Sequence, residues 1–279
     1  MAPTFASAER QAELLKQEGN TFFKKDRIGA AIEAYTEAIT LCPDRPVYWT
    51  NRAICYRKRS EWDKVERDCK TALELDSGSV KAHYMLGLAL LQRDEHELGI
   101  VELEKALDLG RVANPVGYMV EEIWRELAKA KYREWMHVST KELENLERIR
   151  KVCENALVEQ YARSVSEASA HSTESATPYD EQLNGLAEVF RKAAEAKIPT
   201  EVPDYLCCKI TLEIFRDPVI TPSGVTYERA VIIEHLRKVG KFDPVTREPL
   251  DERQLVPNLA LKKAVQDYLD KHGWAYQMG

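Results

Sequence analysis

Apolar and small residues recur along the first third of the chain with a fixed period of 34 residues. Gly19, Ala53 and Gly87 share one register, which also sets Leu15 against Trp49 and His83, Phe22 against Tyr56 and Leu90, Ala31 against Val65 and Gly99, Tyr35 against Cys69 and Leu103, and Ala38 against Ala72 and Ala106. Within each unit the apolar positions fall at helical spacing in two runs. This predicts antiparallel helix pairs that meet at small residues and fill the gap with bulky ones. One pair cannot bury its apolar face alone, so three in a row predict a stacked array that needs a cap. Val120, Ile123, Trp124 and Leu127 supply a suitable capping face.

From about Gly117 to Val165, Glu, Lys, Arg, Leu and Ala dominate and proline is absent, which predicts one long helix or a bent pair. The run from Ser164 to Pro178 is small, polar and ends in proline, so it reads as a flexible connection. Leu183, Leu186, Ala187, Phe190, Ala193 and Ala194 return to helical spacing through about residue 197. A helical hairpin is the simplest arrangement. Its apolar stripes have little else to cover them: they either pack on each other alone or form a subunit interface, and the reading taken forward is the interface of a homodimer.

From residue 204 the pattern changes to short extended segments bounded by proline and glycine, followed by helices. Asp217 to Thr221 predicts a strand, Pro222-Ser223-Gly224 a turn, and Val225 to Tyr227 a return strand. Glu228 to Val239 predicts a helix with Ile232, Ile233 and Leu236 inward and Gly240 at its end. Phe242 to Thr246 predicts a second loop. Asn258 can cap a last helix whose apolar face is Leu261, Ala264, Val265, Tyr268 and Leu269. The expected fold is mainly α with a small α+β module, in three parts: residues 12–113, 114–203 and 204–279.

The 34-residue grammar, with Pro43 closing the first unit, resembles the tetratricopeptide repeat family over residues 12–113 and implies a three-repeat superhelix. Packing occupies the fourth, eighth and eleventh positions of each unit's first helix, which leaves another stripe free. Lys16 and Asn20 of unit one, Asn51 of unit two and Lys81 of unit three lie on it. Stacking brings the stripes together on a concave surface, where two ammonium groups and two carboxamides suit a pair of carboxylates. A peptide ending in Asp offers such a pair, and each charge-assisted hydrogen bond contributes about 1.5–3 kcal/mol. The set resembles the carboxylate clamp of chaperone-binding tetratricopeptide domains. That resemblance implies as partners the heat-shock chaperones of the 70 and 90 kDa classes, held by acidic Glu-Glu-Val-Asp tails. Met85 stands where many clamps carry a second basic residue, which predicts softer discrimination. Tyr84 is then expected to wall a tail side chain, with Met119 and Glu122 on the capping helix as further candidates.

The run from Pro203 to Cys207, Asp217-Pro218-Val219, the segment from Pro222 to Tyr227, Phe242-Asp243-Pro244-Val245-Thr246 and Val256-Pro257-Asn258-Leu259 closely resemble a U-box, a module built like a RING without its metal. A RING needs two sets of four Cys or His ligands, whereas residues 204–279 hold only Cys207, Cys208, His235 and His272. No metal and no other cofactor is expected; hydrogen bonds, ion pairs and an apolar core must brace the loops. With groove and hairpin, the whole chain is similar to the co-chaperone ubiquitin ligases that join tetratricopeptide repeats to a U-box. The resemblance implies a ubiquitin-protein transferase with no covalent intermediate on this chain. A conjugating enzyme carries ubiquitin as a thioester, a lysine of a chaperone-bound client attacks it, and the U-box holds the donor in a reactive pose. Ile210 and Leu212 on the first loop, Pro244 on the second and His235 on the helix are implied to contact the conjugating enzyme. Arg247 matches the family's linchpin arginine, whose fork of donors can bridge two partners at once. From the residues alone, a core role for Ile210 and Leu212 and a structural one for His235 stay open.

Composition adds boundaries. At 279 residues, 44% hydrophobic and 31% charged, the chain exceeds one typical domain and can bury a core. Forty basic against forty-six acidic residues give −6, distributed as about −2, −4 and 0 over the three parts, so none carries the basic excess of a nucleic-acid footprint. Arg57-Lys58-Arg59, the one basic triplet, reads as a solvated turn between helices. No run approaches eighteen apolar residues and the start lacks an apolar core of signal length. Neither membrane nor secretion is expected, and the address is cytoplasmic, with the nucleus left open. The six cysteines form no C-x-x-C pair, as expected of reduced, mostly buried thiols.

Overall fold

A computed structural model describes residues 5–113, 117–168, 179–195 and 198–278. Each repeat is an antiparallel helix pair: α1 (Phe5–Lys24) with α2 (Ile28–Leu41), α3 (Pro46–Lys58) with α4 (Trp62–Leu75), and α5 (Val80–Gln92) with α6 (His96–Ala113). The link inside each pair is the same. Asp26, Ser60 and Asp94 take left-handed φ of 57°, 58° and 61°. The following N–H groups of Arg27, Glu61 and Glu95 donate back to the carbonyls of Phe22, Tyr56 and Leu90 at 2.9, 3.0 and 3.0 Å, which satisfies late carbonyls of the first helix. Gly87 accounts for the small-residue register: a Cβ there would lie 2.8 Å from Leu103 Cγ and 3.0 Å from the Gly99 carbonyl oxygen, so α5 and α6 approach this closely only without a side chain. His83, in the register of Leu15 and Trp49, is buried too, with Nδ1 2.6 Å from Glu102 Oε2.

Beyond the repeats, α7 (Tyr118–Ala168) runs for 51 residues and is cap and first hairpin arm at once. Ile123, Trp124 and Leu127 near its start are buried. α8 (Tyr179–Glu195) returns along its far half, with the rings of Tyr161 and Tyr179 4.9 Å apart. The expectation of a flexible connection from Ser164 is corrected for residues 164–168, which stay helical. Ser164 Oγ and Ser166 Oγ donate to the carbonyls of Tyr161 and Arg163 at 2.7 and 2.8 Å, so the hydroxyls are satisfied without breaking the helix. The remainder of that connection, 169–178, and residues 196–197 lie outside the described residues. α8 fully buries none of its residues, and Met136, Ile149, Val152, Val158 and Val189 are exposed.

In the last part, β1 (Pro218–Ile220) pairs antiparallel with β2 (Thr226–Glu228), Val219 facing Tyr227, and on its other side with β3 (Val256–Pro257). The sheet order is β2-β1-β3. A two-residue strand shows no alternation, so β3 had no signature in the sequence. α9 (Arg229–Lys238) buries Ile232, Ile233 and Leu236. α10 (Leu259–Lys271) is capped by Asn258, whose Oδ1 accepts the Leu261 N–H at 3.1 Å, and it buries Val265 and Leu269; Ala264, expected on that face, is exposed.

This module is docked on α7. Trp274, Ala275 and Tyr276, which follow α10, share a core with Leu206, Phe215 and with Trp124 and Ala128 of α7. The rings of Trp124 and Tyr276 lie 6.0 Å apart, and a Cβ on Gly273 would lie 2.6 Å from Trp135 Cβ. Arg216 covers Trp124 at 5.5 Å and donates to Glu121 at 2.7 Å, while Arg111 Nη2 donates to the Arg216 carbonyl at 3.2 Å. The capping face read from the sequence thus serves two neighbours. Among the described residues no helix is long and apolar enough to cross a membrane.

Candidate peptide groove and U-box face

Three first helices contribute to one polar network in the groove. Lys81 Nζ, in the first turn of α5, donates to Asn51 Oδ1 on α3 at 3.1 Å, and Asn51 Nδ2 donates to Asn20 Oδ1 on α1 at 3.4 Å. The Tyr35 hydroxyl donates to the same Asn20 oxygen at 2.8 Å and holds it in place. Burial pulls the Lys81 ammonium below the usual lysine range, opposed in part by Cys55. Lys81 is half-buried, and the side-chain acceptor its ammonium meets is the neutral Asn51 carboxamide. Lys16, one turn before Asn20, is paired with Glu13 at 2.6 Å and stands beside the network.

Further along α5, Tyr84 and Met85 follow Lys81 by three and four residues. Tyr84, read as a wall, is buried: its hydroxyl donates to Glu122 Oε1 at 2.8 Å and Arg57 lies over its ring at 5.9 Å. Tyr84 and Arg57 together line a cavity beside α5. Met85 is buried as well. Met119, three residues before Glu122 on α7, is exposed.

The two U-box loops are each closed at the base by a β-bridge, Cys207 with Ile214 and Phe242 with Pro249. Asp243 is the brace between loop and sheet. One carboxylate oxygen accepts from the Tyr227 hydroxyl and from the N–H groups of Val245 and Thr246 at 2.6, 2.9 and 3.1 Å; the other accepts from Ser223 and Thr221 at 2.8 and 3.1 Å. Burial alone would raise its pKa, and these donors outweigh that, leaving it at about 2. On the first-loop side, Glu228 accepts the N–H groups of Arg216 and Asp217 at 2.8 and 3.1 Å, and Asp217 pairs with Arg229 at 2.6 Å. Of the Cys and His residues here, Cys208 is buried with its sulfur accepting the Glu228 N–H, and His272 stacks on Tyr268.

Ile210 and Leu212, for which a core role stood open, are 42% and 78% exposed. His235 is half-buried, its Nε2 3.0 Å from the Phe242 carbonyl oxygen and its ring edge-on to Phe242. Pro244 is half-buried, and its neighbour Val245, which sequence reasoning passed over, is 56% exposed and forms the apolar tip of the second loop. Arg247 is exposed above the Phe242 ring at 5.1 Å. Asp243 has no local signature in the sequence, because its Thr, Ser and Tyr donors lie 16 to 22 residues away.

Comparison with known proteins finds family matches in both the first and the last part of the chain. The family model described as the U-box domain matches residues 202–274, and that of the tetratricopeptide repeat matches residues 12–45. The TPR2B domain of yeast Sti1, solved in complex with pHsp70, is 28% identical, spans 43% of this chain and 96% of its own, and superposes with a TM-score of 0.41. The E3 ubiquitin-protein ligase PUB24 of Arabidopsis thaliana is 45% identical over 69 residues, 24% of this chain and 15% of that protein. The E3 ubiquitin-protein ligase CHIP of Arabidopsis thaliana is 62% identical over 272 residues, 98% of both chains. With a match that spans repeats, hairpin and U-box alike, this chain belongs to the CHIP family of U-box E3 ubiquitin-protein ligases.

Proposed function

We propose that this protein is a co-chaperone ubiquitin-protein ligase that holds a chaperone by its acidic carboxy-terminal tail and directs ubiquitin onto the chaperone's client. Membership of the ligase family supports the transfer activity. The observation that carries the recognition half is the Lys81–Asn51–Asn20 network, drawn from three repeats and left with a desolvated ammonium. In this reading Lys16, Asn20, Asn51 and Lys81 hold the terminal and side-chain carboxylates of the last Asp, and the tails are those of the 70 and 90 kDa heat-shock chaperones. Residues 12–113 form the recognition unit, 114–203 the cap and homodimer region, and 204–279 the U-box, in a cytoplasmic protein.

At the U-box, Ile210, Leu212, Pro244 and Val245 give an apolar surface for a conjugating enzyme, with His235 bracing the second loop from below. The amine of a client lysine attacks the thioester carbonyl, the C–S bond breaks, an isopeptide C–N bond forms and the enzyme's cysteine leaves as thiolate. This chain supplies no nucleophile. Arg247 contributes orientation, because a planar fork of donors can hold conjugating enzyme and ubiquitin together. The test is ubiquitination of a chaperone-bound client reconstituted from purified components. Transfer that depends on both Lys81 and Arg247 supports the reading, and transfer indifferent to Lys81 overturns its recognition half.

A further inference from the structure

The basic triplet does not behave as a solvated turn throughout. Lys58 pairs with Asp26 at 3.0 Å and Arg59 with Glu61 at 2.6 Å, both at the surface. Arg57 turns inward instead, over Tyr84, with Nη1 3.7 Å from Met85 Sδ and Nη2 3.9 Å from Glu122 Oε1. A guanidinium has five donors. Here they meet a thioether, a weak acceptor, and a carboxylate already held by the Tyr84 hydroxyl at 2.8 Å. Arg57 forms part of the wall of a cavity of about 250 Å3 between α3, α4, α5 and α7, with Trp62, Tyr84 and Leu88 as lining and Lys129 and Arg133 beside them. Its acids are Glu122 and Glu126, the latter paired with Lys129 at 2.8 Å, so three cations face two anions. Leu88 lies about 10 Å along α5 from Lys81, at 1.5 Å per residue, the length of about three extended peptide residues.

We propose that this cavity is a second subsite of the groove, which takes a glutamate about three residues before the terminal Asp of an acidic peptide, and that Arg57 selects it. The proposal rests on the reading of the groove as a site for such tails. Arg57 thereby places a guanidinium beside Met85, where the clamp carries no basic residue of its own. The apolar lining suits the methylene stem of Glu, and the fork above it suits the carboxylate.

The experiment is calorimetric titration of the full chain with two acetylated peptides, one ending in Glu-Glu-Val-Asp and one in which both glutamates are glutamine. The wild type is expected to prefer the acidic peptide about ten-fold, a gain of about 1.4 kcal/mol. Arg57→Leu should bind both peptides as the wild type binds the glutamine form, and Arg57→Lys, which keeps the charge but not the fork, should recover part of the preference. Lys81→Ala should lose both peptides. A full ten-fold preference in Arg57→Leu overturns the subsite and leaves the groove standing. Failure of the wild type to bind either peptide overturns the groove itself.

Discussion

Leu212 and Arg247 occupy the same place in two loops of one build. The N–H of each donates to the carbonyl four residues back, Cys208 and Asp243, at 2.8 and 2.9 Å, and each has a left-handed φ, 61° and 63°. Cys208 and Asp243 in turn donate to the carbonyls of Glu213 and Glu248, both at 2.8 Å. Left-handed backbone costs a side chain with a Cβ about 1–2 kcal/mol. Two exposed long side chains kept in that conformation, at the tips of the proposed docking face, are strain that the proposed docking role would account for. Leu212→Gly and Arg247→Gly should therefore leave the chain as stable or raise it by about 0.5–1 kcal/mol, yet slow ubiquitin discharge. Urea denaturation and single-turnover discharge to free lysine check this; a loss of stability in both variants removes the strain argument.

Within that pair the two roles separate. Arg247→Ala should keep most of the affinity for an uncharged conjugating enzyme while discharge slows about ten-fold, which corresponds to about 1.4 kcal/mol of transition-state stabilisation. Ile210→Ala should weaken binding and discharge together. Discharge by Arg247→Ala at the wild-type rate, measured with saturating ligase, would return Arg247 to an ordinary surface residue.

Asp243 gives the U-box an acid limit. Its native pKa of about 2 lies below the ordinary aspartate value of 3.8, so its contribution is complete above about pH 4 and is lost as the pH falls toward 2. The difference corresponds to about 2 kcal/mol of stability at neutral pH. Asp243→Asn should destabilise the U-box at pH 7 and flatten this part of the acid profile, followed by urea midpoints from pH 6 to pH 2. Because hydrogen bonds do the bracing, dialysis against a strong chelator should leave the midpoint at pH 7 unchanged.

Trp124 joins the repeat array to the U-box, and Trp124→Ala should cost about 3–5 kcal/mol, as large aromatic truncations do. Val219, Tyr227, Ile232, Leu236 and Leu250 form a separate cluster. The U-box should accordingly undock rather than unfold. Hydrogen exchange is the measurement: protection lost over residues 273–278 but kept over 218–236. Loss over both spans would mean that docking and U-box folding are one event.

The exposed apolar residues of α7 and α8 should bring two chains together. Light scattering at micromolar concentration is expected to give a dimer for the wild type and a monomer for the Val152→Asp, Val158→Asp double variant. A wild-type monomer would sink the dimer reading.

The 34-residue period determined the helix pairs, their register and the stripe that carries Asn20, Asn51 and Lys81, because repeat packing is set by near neighbours and leaves its spacing in the sequence. The helices of the U-box were legible for the same local reason. What only the tertiary structure decided are contacts between residues far apart in the chain. Arg57 was indistinguishable from Lys58 and Arg59 until α5 and α7 supplied Tyr84, Met85 and Glu122 around it. Trp124 read as a repeat cap, and its second neighbour, Tyr276, comes from the far end of the chain. Ile210 and Leu212 had the composition of core residues, and the loop's hydrogen bonds turn them outward. Periodicity records which face of an element is apolar; which partner meets that face depends on how distant segments pack, and no local pattern encodes it.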